Sequence, residues 1–183
     1  MKILKVLFNC AAASLCAVSL ASCSGHSFLA PSAPDLNKQF QMTARVTSGD
    51  SSFTADFSRT SVGQWQVTVT EPYEVQGVSF TYSGGNASAA FGEFSADTLT
   101  ADFAASPPAL MISAMENTVQ DSAANVAYQS DTYTVQSGNC LLTFQQGSAA
   151  PTAMELPNLK AEITDFKITG DIFPAGVDVI VVE

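Results

Sequence analysis

Apolar and polar residues alternate one by one through five stretches of the sequence between positions 40 and 91. In the first stretch, Phe40, Met42, Ala44 and Val46 are separated by single polar residues. Because successive side chains of a β-strand point to opposite faces, this period of two predicts strands with one buried face. The stretches are 40–46, 53–57, 65–69, 78–82 and 87–91, with turn residues between them. The pattern therefore predicts an antiparallel meander with one apolar face.

The periodicity changes after Ser106. Ser106 suits the N-cap of a helix and Pro107 suits its first position. Beyond them, apolar residues recur at helical spacing, at Leu110, Met111, Ala114, Met115 and Val119. We expect an amphipathic helix over 107–121. Its outward face is expected to carry Glu116, Asn117 and Asp121.

Strand periodicity returns after the predicted helix. Runs of this kind cover 132–136, 140–145, 153–156 and 159–164, and the chain closes with an apolar run over 177–182. Before the helix, 99–103 predicts one further strand. Strands, then one helix, then strands again favour an α+β fold in which a curved antiparallel β-sheet, an unclosed barrel, wraps around one main helix. A β-sandwich with the helix at its edge is the alternative.

The N-terminus has the parts of a secretory signal. Lys2 and Lys5 precede an apolar stretch that runs to Leu20, and Ala21 and Ser22 are small residues directly before Cys23. The tetrapeptide 20–23 resembles the bacterial lipobox, in which the cysteine receives a diacylglycerol and becomes the first residue after cleavage. We therefore expect a signal peptide over 1–22, lipidation of Cys23, a lipid-anchored tether over 23–37 and a single β-rich domain over 38–183.

The chain is acidic, with 17 Asp and Glu residues against 7 Lys and Arg residues and a formal net charge of −10 at pH 7. Two of the lysines belong to the predicted signal, so the mature protein is more acidic still. Such a surface repels phosphate backbones, which argues against nucleic acid as a partner. The expected partners are the membrane, through the N-terminal lipid, and a lipid or acyl-chain ligand.

Residue types that carry catalysis or bind metals are scarce. The only histidine, His26, lies in the predicted tether, so a Ser-His-Asp or Cys-His arrangement has no imidazole within the predicted domain. The same scarcity excludes a zinc site, and no calcium-loop motif occurs. Cys140 has no thiol partner once Cys23 is acylated, and its apolar setting indicates a small buried hydrophobic residue. We expect a protein that is not an enzyme and has no cofactor.

Several segments resemble one family of bacterial lipoproteins. They are 65–69 followed by Pro72, the glycine-led strand 77–82, the pair of strands in 133–144 with Gly147 and Pro151 after them, and 162–166. In this order, over residues 40–167, they resemble the lipoprotein-carrier fold of the LolA, LolB and LppX-like proteins. The resemblance implies an unclosed β-barrel lidded by helices, with acyl chains held in the apolar space between sheet and helices. No residue in 107–121 is basic, so no helix arginine of LolA carries over.

A ligand cavity of this kind would be lined by large apolar side chains. The candidates are Trp65, Val67, Phe80, Tyr82, Phe91, Leu110, Met111 and Met115. The same side chains could instead fill a solid core. Two functions stay open at this point. The first is a lipid-anchored protein on the extracytoplasmic side of the cell membrane, in the cell envelope, that binds a lipid or another hydrophobic ligand. The second is a non-catalytic surface module that contacts a protein or glycan through loops such as 83–87.

Overall fold

A computed structural model describes residues 34–97 and 104–172. Eleven β-strands in this part of the chain form one antiparallel sheet. The strands are β1 (Lys38–Ser48), β2 (Ser51–Ser61), β3 (Gln64–Glu71), β4 (Ser79–Ser83), β5 (Asn86–Phe91), β6 (Phe94–Asp97), β7 (Asn125–Gln129), β8 (Thr132–Ser137), β9 (Cys140–Gln145), β10 (Pro151–Leu156) and β11 (Leu159–Asp171). A single 3-10 turn, Tyr73–Val75, follows β3.

The strand order across the sheet is β6-β5-β4-β3-β2-β1-β11-β10-β9-β8-β7. Since β6 and β7 lie at opposite ends of this order, the sheet is unclosed. The helix α1 (Pro107–Gln120) lies between these two edge strands in sequence. Within residues 34–97 and 104–172, the predicted α+β fold, an unclosed antiparallel sheet with one main helix, is confirmed. The β-sandwich alternative is wrong, because all eleven described strands hydrogen-bond into one sheet rather than two.

The core lies between the inner face of the sheet and one side of α1. On β1, every second residue from Phe40 to Val46 is at most 3% exposed, as the period-two pattern predicts. Met111, Ile112 and Met115 of α1 belong to the same buried cluster. Burial of such side chains stabilises a fold by about 1.5 to 3 kcal/mol each, so this shared cluster is the main force that holds the helix to the sheet.

The predicted strands up to residue 91 and those in 132–164 are confirmed, but two observed strands were not predicted. The edge strand β6 has only four residues. The edge strand β7 exposes four of its five residues, so neither strand shows a clear alternation. The predicted strand 99–103 and the apolar run 177–182 lie outside the described residues.

The helix begins and ends close to its predicted bounds. Ser106 occupies the N-cap with an extended backbone, although its side chain makes no capping hydrogen bond, and proline occupies the first helical position. Asn117 is exposed, as predicted. The prediction that Glu116 faces outward is wrong, because only 12% of its side chain is exposed and it pairs with Arg59 of β2. Within the described residues, no helix has the length and hydropathy needed to cross a membrane.

Candidate functional site

Four of the eight residues predicted to line a ligand cavity lie together in the packed core. Trp65, Val67, Met111 and Met115 are each at most 2% exposed and belong to one hydrophobic cluster. The indole ring of Trp65 meets the ring of Phe40 edge to face, with 5.3 Å between their centroids. None of the cavities described below is lined by these four side chains. In this structure the four side chains fill the hydrophobic core rather than line a cavity.

Phe80 and Tyr82 of β4 are partly buried at the margin of this cluster. Their backbone register places Phe80 beside Val67 and Tyr82 beside Trp65 of β3. Burial raises the pKa of the Tyr82 phenol above its ordinary value. Both side chains pack against the buried cluster to which Met111 and Met115 of α1 belong, so both face the helix side of the sheet.

Phe91 and Leu110 lie apart from the other predicted residues. Phe91 is 51% exposed and Leu110 is 41% exposed. Phe91 lines a shallow apolar recess of about 230 Å³ on the β4–β6 side of the sheet, together with Val78, Ala89, Ala90, Phe94, Ser95 and Ala96. Leu110 lines a larger cavity on the β8–β11 side. The structure therefore distributes the predicted cavity residues over the core and two separate surface depressions.

The larger cavity, which we name the helix groove, lies between α1 and two hairpin turns, those that join β8 to β9 and β10 to β11. Its volume is about 420 Å³, within the range of small-molecule sites. The lining consists of Leu110, Ser113, Ala114, Asn117, Ser137, Gly138, Asn139, Cys140, Leu156, Pro157, Asn158 and Leu159. Ala114, Cys140 and Leu159 are buried and form an apolar floor, whereas three asparagines are exposed at the rim. No residue of this lining carries a charge.

A hydrogen-bond network around the carboxylate of Glu116 was not predicted from the sequence. Its Oε1 atom accepts hydrogen bonds from Arg59 Nε at 2.8 Å, Gly63 N at 3.0 Å and Trp65 Nε1 at 2.7 Å. Its Oε2 atom accepts from Arg59 Nη2 at 3.0 Å. Burial raises the pKa of Glu116, but the hydrogen bonds from Arg59, Trp65 and Gly63 outweigh that effect and hold the pKa below its ordinary value. This carboxylate joins the helix to the β2–β3 hairpin.

The sequence did contain a signal for this network. Arg59 follows Ala55 and Phe57 at steps of two residues, in the phase of β2 that faces the core. A charged residue in that phase requires an opposite charge or several hydrogen bonds, because an unpaired buried charge is very unfavourable. Arg59 Nη1 also donates to the backbone oxygen of Lys38 at 2.9 Å. The pattern therefore predicts an acidic partner, although it cannot say which one.

Gly63 supplies its amide to the network from the turn between β2 and β3. Its φ angle is +65°, in the left-handed region that glycine adopts more readily than other residues. Nothing lies within 4 Å of the position that a Cβ atom would occupy, so space does not limit this site. Backbone conformation alone explains the glycine, and that conformation directs its N–H toward Glu116.

Cys140 lies at the floor of the helix groove and is 3% exposed. Burial raises the pKa of its thiol, and a hydrogen bond with Thr118 partly opposes the rise. A thiol held in its protonated form is a poor nucleophile. Its position agrees with the predicted role of a small buried hydrophobic residue.

Cys23, the lipobox and most of the predicted tether lie outside the described residues. In the described ranges, no three His, Cys, Asp or Glu side chains group closely enough to hold a metal ion. In the helix groove, α1 and the hairpin turns of the sheet together form an apolar surface with a polar rim.

No protein-family model and no curated protein matches this sequence. The solved structures that are similar to this chain include two with matches over most of their own length. An uncharacterized conserved protein from Thermus thermophilus has a TM-score of 0.46 and 8% identity, covering 78% of this chain and 89% of its own. A LolA superfamily protein from Nitrosomonas europaea has a TM-score of 0.42 and 12% identity, covering 78% of this chain and 90% of its own.

Proposed function

We propose that this chain is a lipoprotein of the cell envelope, anchored on the extracytoplasmic side of the membrane through a lipid on Cys23, that binds a single acyl chain without catalysing a reaction. The lipobox and the order of charged, apolar and small residues before it support the anchor. The observation that carries the binding function is the helix groove of about 420 Å³, where α1 meets the sheet.

The lining of the helix groove suits an amphiphile. Ala114, Cys140 and Leu159 offer buried apolar contacts along the floor, which an alkyl chain can cover. The amides of Asn117, Asn139 and Asn158 lie at the rim, where they can donate hydrogen bonds to an ester or a carboxylate. Because the lining has no charged residue, an apolar chain displaces no ionic hydration shell when it enters.

Native mass spectrometry of the delipidated full chain with oleic acid tests this function. Leu110→Asp places a charge at the edge of the groove and should abolish the oleate adduct. Ile168→Asp is the matched control, because Ile168 is 44% exposed, close to the 41% of Leu110, and lies outside the groove. The proposal fails if the wild type binds no oleate, or if both variants bind it as the wild type does.

A second function is favoured by the packing of the core. Four of the predicted cavity residues are almost fully buried, and the turn between β4 and β5 is exposed from Ser83 to Asn86. Such an arrangement suits a solid scaffold that contacts a protein or glycan through loops. A flat oleate titration of lipid-free wild-type protein would favour this surface module over the acyl-chain binder.

A further inference from the structure

The outer face of the sheet carries a polar depression opposite the core. We name it the outer groove. It spans β11, β1, β2 and β3, has a volume of about 390 Å³, and is lined by Gln41, Met42, Thr43, Asp56, Phe57, Ser58, Gln66, Thr68, Asp165 and Lys167. Its polar residues alternate along the strands with the buried residues of the core, so the outer groove and the helix groove lie on different faces of the sheet.

The strand register arranges these polar residues in two parallel rows. One row runs from Asp165 through Thr43 and Asp56 to Thr68, and each neighbouring pair is in direct register. The second row consists of Lys167, Gln41, Ser58 and Gln66, also in register. With strands about 4.8 Å apart, each row extends over roughly 14 Å. The rows belong to central strands of the sheet, so the side chains stand on a rigid support.

A β-bulge lies directly beside this groove. The pairing of β1 with β11 shifts register between Thr43 and Ala44, so that Thr164 is the extra residue on β11. Bulges bend a strand, increase its twist and redirect side chains. The bulge therefore explains why Asp165 and Lys167 border a depression on what would otherwise be a flat polar surface.

Most polar groups of the outer groove have no partner within the described part of the chain. Thr43 Oγ1 donates to Asp56 Oδ1 at 2.7 Å. The side chains of Gln41, Gln66, Asp165 and Lys167 make no hydrogen bond or ion pair with the described residues. Asp165 and Lys167 have opposite charges, lie two residues apart on one strand and still do not pair. Both remain available to a ligand.

We propose that the outer groove binds a neutral saccharide chain laid across the strands. Its rows offer closely spaced donors, from Lys167 and two glutamine amides, and acceptors, from two aspartates. A sugar presents hydroxyls that both donate and accept, at a similar close spacing. The net charge of −10 disfavours a polyanionic glycan, and the exposed lining is more polar than apolar, which disfavours a lipid. This site is independent of the proposed acyl-chain binding in the helix groove.

Isothermal titration of the detergent-solubilised full chain with cellohexaose, chitohexaose, maltohexaose and xylohexaose tests the proposal. We expect saturable binding to at least one of these probes. Asp165→Asn and Lys167→Gln should each weaken it about tenfold, the effect of one charge-assisted hydrogen bond. The matched controls are Glu155→Gln and Lys160→Gln, an exposed acid and base on the same sheet outside the groove.

Three results would overturn the proposal. The first is no binding to any of the four saccharides. The second is equal affinity of the wild type and the Asp165→Asn and Lys167→Gln variants, or an equal loss in the control variants. The third is tighter binding of polygalacturonate, a polyanionic glycan, than of the neutral probes. Thermal unfolding of every variant establishes that a lost signal does not reflect a lost fold, and Leu110→Asp should leave saccharide binding unchanged.

Discussion

The guanidinium of Arg59 and the carboxylate of Glu116 form a two-point ion pair, with 2.8 Å between Nε and Oε1 and 3.0 Å between Nη2 and Oε2. The Arg59 side chain is 0% exposed and that of Glu116 is 12% exposed. The pair joins β2 to α1 across the inner face of the sheet. Trp65 Nε1 also donates a hydrogen bond to Glu116 Oε1. One carboxylate therefore satisfies both a buried cation and a buried indole.

Removing the charge of Glu116 should destabilise the fold. Glu116→Gln leaves the Arg59 guanidinium buried without an anion, and we expect the free energy of unfolding to fall by about 3 kcal/mol, the lower end for a broken buried pair. Urea denaturation followed by circular dichroism measures it. Glu155→Gln, which breaks the exposed pair with Lys160, should change stability by less than about 1 kcal/mol. Equal effects of the two substitutions would contradict this role for the buried pair.

The stabilisation by Glu116 should depend on pH. Its pKa in the folded state lies below the ordinary value of 4.5. The stabilisation is therefore fully present above pH 4.5 and is lost as the pH falls through the lower, folded-state pKa. The difference in unfolding free energy between the wild type and Glu116→Gln should stay constant from neutral pH down to about 4.5 and shrink below it. A difference that stays constant in acid would show that the charge of Glu116 is not what stabilises the fold.

The fold was largely predictable because its strongest signals are local. The alternation in β1 to β3 and the helical spacing after Pro107 each specify which side chains face the core. The outer-face polar rows were not predicted, because a period of two shows that Gln41 and Thr43 lie on one face but not which residues of other strands lie beside them. That information is in the register, which places Asp165 and Asp56 on either side of Thr43.

The candidate cavity was less predictable for a similar reason. Trp65 and Phe91 both lie in the apolar phase of their strands, yet Trp65 is 2% exposed and Phe91 is 51% exposed. The alternation of apolar and polar residues shows on which face of the sheet a side chain lies. Its burial also depends on how far the helix extends over that face. Glu116 shows the opposite case, in which a position that looks like a solvated helix face meets a buried arginine from a distant strand.

Cys140 should be inert in the folded protein. Its thiol is buried and its pKa is raised by that burial, so iodoacetamide at pH 8 should modify the peptide that contains Cys140 only after denaturation. Cys140→Ala should lower the free energy of unfolding by roughly 1 kcal/mol, as for a small core truncation. Mass spectrometry and urea denaturation measure the two effects. Rapid labelling of the native protein would instead identify an accessible, reactive thiol.

The lipidation prediction concerns Cys23. The wild-type protein should fractionate with membranes and partition into detergent, and its N-terminal peptide should carry a diacylglycerol mass. Cys23→Ser should lose all three properties, because a serine hydroxyl does not replace the acceptor thiol. Cys140→Ala is the matched control and should keep them, since Cys140 is buried within the domain. Detergent partitioning of the Cys23→Ser variant would contradict the predicted anchor.

The last prediction separates the packed core from the helix groove. Met115 is 0% exposed and Leu110 is 41% exposed, although both were predicted to line one cavity. Met115→Asp places a carboxylate among apolar side chains with no partner, so the variant should unfold or lose several kcal/mol of stability. Leu110→Asp can direct its carboxylate to water, so it should keep the wild-type circular dichroism spectrum and a similar melting temperature. If Met115→Asp folds normally and alone loses oleate binding, the ligand lies between sheet and helix beside Trp65, and the helix groove is not its site.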